Sequence, residues 1–292
     1  GFNSLFKPLI NMQADDFIKL VDNPNFISGI YNYCNRWCDK CPFVAQCTVG
    51  TMEQLIHFGR TSNEPITLDE FTGMMEIATG TSINKEDVKT ITINVDELME
   101  LDEDEPSLLN DVSTSDPDSD FEAEFKAAFE FVESHEIIAL AHPYSISCYK
   151  WKNHMSKYFY FDDSSENPSC QYIGKFPINS AQQKKELIEA FETVVWYVLQ
   201  IEIKLKRALH GFYTDKDDYL PGDYQTDFNG SAKIAVIGIN SSLQAFEKLY
   251  AFFTEEQSSI KNKMGLLESV RAKTYEQFPN LDAFKRPGFD EF

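Results

Sequence analysis

The chain has 292 residues, 42% of them hydrophobic and 14% aromatic, so it can bury a sizeable core. Its formal net charge of −21 repels phosphate backbones and anionic membrane surfaces, so neither nucleic acid nor a membrane is expected as a partner. No apolar run is long enough to span a bilayer. The absence of a visible leader, together with clustered thiols, leads us to expect a reducing, cytoplasmic setting.

In chain order, residues 1 to about 50 read as short helices leading into four cysteines: Cys34, Cys38, Cys41 and Cys47, spaced C-x3-C-x2-C-x5-C. If the first three sit on a helix, positions i, i+4 and i+7 share one face. Pro42 then ends the helix, and the following loop can bring Cys47 back over that face. Thr67-Leu-Asp-Glu70 forms a capping box for a helix stopped by Gly80, and Thr90–Val95 alternates like a short strand. From Asp96 to Glu124 there are thirteen Asp and Glu residues and no Lys or Arg. Such a stretch reads as a solvated linker, or as bait for a basic protein partner.

Long helical patterns follow. One runs over 121–142 and resumes after Pro143 towards Tyr158. A second covers 181–210, capped by Ser180 with Gln183 three residues on, and stopped by Gly211. A third covers 231–253, with Asn229-Gly-Ser231 as its N-cap. A fourth follows Thr254, again with a capping-box Gln257, and ends before Pro279. Loops 159–179 and 212–229 are long and aromatic. The expected fold is mainly all-α: an up-and-down helical bundle carrying an N-terminal cysteine-rich metal-binding segment. The expected organisation is an N-terminal region at 1–95, an acidic linker at 96–120 and a long-helix bundle at 121–292.

Four thiolates around one point bind a metal, so Cys34, Cys38, Cys41 and Cys47 are the candidate ligands. Compression of the ligands into one run favours a [4Fe–4S] cluster over structural Zn2+, whose knuckles usually lie further apart. Trp37, Tyr33 and Phe43 would shield the centre, and Arg36 and Lys40 would offset its charge.

The second polar feature is Glu202, in line with Phe191, Val195, Val198, Leu205 and Leu209 on an apolar stripe. A carboxylate there must be paired. His135, His142, Tyr144 and Arg207 are candidate partners, and Glu202 with His135 or His142 could form an enzyme site inside the bundle. The Glu-x-x-His pairs of di-iron bundles are missing from the long helices, as are G-x-S-x-G, P-loop and H-E-x-x-H motifs. The sequence therefore assigns no reaction.

Cys38-Asp-Lys-Cys-Pro-Phe-Val-Ala-Gln-Cys47 resembles part of the [4Fe–4S] loop of endonuclease III-like DNA glycosylases, and the C-P-x4-C closure of other four-cysteine cluster proteins. That resemblance covers about ten residues and implies a ligand role for Cys38, Cys41 and Cys47. It does not extend to glycosylase activity, which needs a basic surface. As a whole the chain resembles an uncharacterised family of bacterial helical proteins with an N-terminal four-cysteine motif, which implies no activity.

Overall fold

The computed structural model describes residues 25–51, 53, 119–162, 169–215, 219–220 and 222–290. The expected helix at 67–80, the strand at 90–95 and nearly all of the acidic segment lie outside these residues. Two compact units result: residues 1–121 with 287–292, and residues 122–286.

In the first unit the cysteine run is not an α-helix. It is a chain of 3-10 turns, Ile30–Asn32, Cys38–Lys40 and Val44–Gln46, and helical residues begin at 48. The helical register fails at Arg36, which adopts a left-handed φ of 57°. A non-glycine side chain rarely enters that region, and a helix cannot continue through it. Ile27 N–H donates to the Gln46 carbonyl at 2.9 Å, closing the run into a loop. Gly50 lies so near Val44 that an added Cβ would sit 2.9 Å from its Cγ2 and 3.2 Å from its carbonyl oxygen. Residues 287–290 belong with this unit, not with the helices before them. The Phe289 ring meets Phe43 edge-on, with centroids 4.9 Å apart.

The second unit is built from α1 (Ser119–Ser134), α2 (Glu136–His154), a hairpin of β1 (Phe159–Asp162) and β2 (Ser169–Tyr172), α3 (Ala181–Asp215), α4 (Asp227–Phe252) and α5 (Gln257–Gln277). The break after α1 falls at His135, not at Pro143. His135 is extended, with φ −71° and ψ 140°, and its Nδ1 accepts the Ile137 N–H, making it the N-cap of α2. Pro143 lies inside α2. It and Ala139 are both exposed residues, and Pro143 gives the Ala139 carbonyl no helical donor.

At the start of α3, Ser180 Oγ accepts the Gln183 N–H at 3.1 Å, as the capping pattern predicts. Gly211 does not stop α3, which runs on to Asp215. The N-cap of α4 is Thr226, whose Oγ1 accepts the Asn229 N–H; Asn229, Gly230 and Ser231 are instead buried within the helix. Thr254 opens a 3-10 turn ahead of α5, and no side chain caps that helix.

The core lies between α2, α3, α4 and α5. α3 and α4 pack closely at Gly238, where a Cβ would meet the Tyr197 ring at 2.8 Å. Arg271 donates to Asn240 Oδ1 at 2.8 Å, tying α5 to α4 through the polar residue in α4's apolar stripe. The hairpin closes one end through aromatic packing. Phe159 stacks on Phe191 at 4.1 Å and meets Tyr172 and Phe253 edge-on. No helix among the described residues is long and apolar enough to cross a membrane.

Candidate functional site

Cys34, Cys38, Cys41 and Cys47 border one small cavity of about 10 Å³, together with Ile30, Trp37 and Phe289. All four are free thiols; Cys34 and Cys47 are buried, while Cys38 and Cys41 are partly exposed. The 3-10 turns, in place of the expected helix, set the four residues around this one cavity. The left-handed turn at Arg36 aims its own N–H at Cys34 Sγ, 3.4 Å away. Gly50 N–H reaches Cys47 Sγ at the same distance. Backbone N–H groups aimed at sulfur are donors that a metal-bound sulfur can accept from.

Around this cavity, Arg36 pairs with Glu53 at 3.8 Å and the Lys40 ammonium sits 3.7 Å over the Trp37 ring. Burial, followed by the hydrogen bond and charge of Glu53, pushes the Cys38 thiol up to about 12. The nearby Cys34 and Cys47 act in the same direction. The four sulfurs share a cavity but are not drawn in to ligand distance. Among the described residues, no group of three His, Cys, Asp or Glu side chains is set to hold a metal ion.

The other predicted pair does meet. His142 Nδ1 lies 3.0 Å from Glu202 Oε1. Lys206, one turn on from Glu202, approaches the same oxygen at 3.5 Å and bonds Glu133 at 2.7 Å. Burial alone would raise the Glu202 carboxyl. The Ser145 hydroxyl, His142 and Lys206 outweigh it and hold the group below the usual carboxylate range. Ser145 is also 3.2 Å from the Val198 carbonyl and can give its single proton to only one of the two oxygens.

This pair is not in the buried core: the His142 side chain is 58% exposed. It stands at the edge of an open groove of about 440 Å³ between α2 and α3, whose floor includes Ile146, Tyr149, Leu199 and Ile203. His135 is not part of it: its ring caps α2 and packs against Phe131. Nor is Arg207, which forms a two-pronged pair with Asp227 at 2.9 and 2.6 Å. Tyr144 is fully buried. Lys206 and Ser145 are partners that sequence reasoning missed, although the i+4 spacing of Lys206 from Glu202 was there to be read.

Compared with protein-family models, curated proteins and solved structures, the chain matches none of them.

Proposed function

We propose that the protein is a metal-binding helical protein in which Cys34, Cys38, Cys41 and Cys47 hold one metal centre, with a structural or electron-transfer role. The observation that carries this reading is that all four thiols border one cavity, and two of them face backbone N–H donors. The cavity of about 10 Å³ is near the lower limit for a single water. Either centre requires the four thiols to move into ligand positions, at Zn–S distances of about 2.3 Å for a single tetrahedral ion. Ligand compression into one run favours a [4Fe–4S] centre, with Zn2+ as the alternative. A closed four-sulfur zinc site leaves no open position for substrate, which makes the role structural. The helices of the second unit are read as an up-and-down bundle, with the acidic segment as a linker able to attract a basic protein in the cytoplasm.

Metal analysis and an absorption spectrum after anaerobic purification test this reading. One equivalent of zinc in a colourless protein supports it. Broad absorption near ~400 nm selects the iron–sulfur form. Protein free of both metals, and unable to take up either, overturns it.

A second reading is favoured by the 3.0 Å contact of His142 with Glu202 beside the groove. A carboxylate that fixes one imidazole nitrogen orients the other as a general base. Turnover of a panel of aryl esters, lost in His142→Asn, would support catalysis at this edge. No turnover by the intact protein, or turnover unchanged in the variant, would remove it.

A further inference from the structure

We propose that the groove between α2 and α3 binds a fatty-acid-type carboxylate, its chain lying on the apolar floor and its head group on Lys150. This inference is independent of the cysteine site and requires no reaction at His142.

The floor is unusual for a surface. Tyr149, Leu199 and Ile203 are each 61% exposed, and Ile146 is 44% exposed. They lie together because Ile146 and Tyr149 are three apart on α2, while Leu199 and Ile203 are four apart on α3. Single exposed apolar residues need no explanation, but four converging on one concave surface do. The groove's 440 Å³ falls in the range of small-ligand sites. From His142 to Lys150 along α2 is roughly 12 Å, about the reach of a medium-length acyl chain.

Charge then selects the head group. In a chain of net charge −21, this groove is bordered by His142, Lys150 and Lys206. Its one carboxylate, Glu202, has a side chain only 14% exposed and is already held by His142 and Lys206. Lys206 is in turn engaged by Glu133. Lys150 lines the groove and makes no hydrogen bond or ion pair among the described residues. An ammonium without a partner among the described residues, beside an apolar trough, complements a ligand with an apolar body and a single negative charge. A cationic amphiphile would meet Lys150 with like charge, and a neutral one would leave it unpaired. A free acid suits the site better than an anionic bilayer, which the net charge opposes.

The test is calorimetric titration of the full chain with decanoate below its micelle-forming concentration. Decanol and decyltrimethylammonium serve as controls of equal chain length. Decanoate should bind saturably, one per chain, at least tenfold more tightly than either control. Lys150→Gln should bring decanoate down to the affinity of decanol. Leu199→Ser with Ile203→Ser should weaken decanoate binding at least tenfold. Both sites are largely exposed, so the thermal melting of the double variant should match the parent. Absence of saturable binding, equal affinity for all three head groups, or binding unchanged in the double variant would overturn the proposal. So would a parent dimer that the double variant converts to monomer, because the face would then belong to a second copy of the chain.

Discussion

At Gly238 two helices come so close that a methyl group has no room. Alanine in place of glycine within a helix ordinarily gains about 1 kcal/mol. Here the added Cβ would stand 2.8 Å from Tyr197 Cδ1 and 3.2 Å from Ile201 Cγ1, both on buried residues. Gly238→Ala should therefore lower stability, by roughly 1–3 kcal/mol, as overpacked cores do. Urea unfolding measures it, and an increase in the midpoint would show that α3 and α4 are further apart than described. Glu256 makes a second prediction at this scale. Burial pushes its carboxyl up, but Lys157 Nζ at 3.0 Å and His154 Nε2 at 2.8 Å hold it below the usual carboxylate range. A depressed carboxyl contributes stability above its unfolded value and loses it as pH falls through the folded one. Glu256→Gln should cost about 1–2 kcal/mol at pH 7. The gap from the parent should close as the solution is taken below the carboxylate range. A gap constant from pH 7 to pH 3 would mean that the charge is not what holds this contact.

Among the elements, α4 depends on its first residue. Thr226 is fully buried and accepts the Asn229 N–H, so Thr226→Ala should remove about 1 kcal/mol in denaturant unfolding. An unchanged midpoint would place the start of α4 elsewhere. The other helix starts show why some elements can be read from sequence and others cannot. Ser180 with Gln183 is a local pattern, satisfied by atoms three residues apart, and the structure keeps it. The break at His135 follows from a side chain that caps a helix although its type seldom does. Pro143, the stronger local signal, does not end the helix, which runs through it to His154. Gly211 likewise reads as a stop, but tertiary packing carries α3 past it. The hairpin of β1 and β2 was missed because its aromatic residues pair with distant helices, not with a local period. In the cysteine run, i, i+4, i+7 spacing imitates a helix. The 3-10 turns and one left-handed residue bring the same thiols together by another route. Glu202 was legible as a polar intruder in an apolar stripe. Of its two candidate histidines only His142 reaches it, and that choice depends on where α2 begins.

At the scale of the molecule, the thiol cavity belongs to one compact unit and the long helices to the other. A metal that holds the first unit should protect amide hydrogens within 25–51, and its removal by a strong chelator should speed their exchange. Exchange within 122–286 should be unaffected, since a ligand stabilises only what it binds. Uniform loss of protection would mean that the whole chain depends on the centre. The most direct measurement is the metal content of anaerobically purified protein, parent beside Cys41→Ser. The account predicts one equivalent of bound metal in the parent and a large loss in the variant, with helicity unchanged. Equal metal content in the two, or none in the parent even after incubation with zinc and with iron and sulfide, would contradict it.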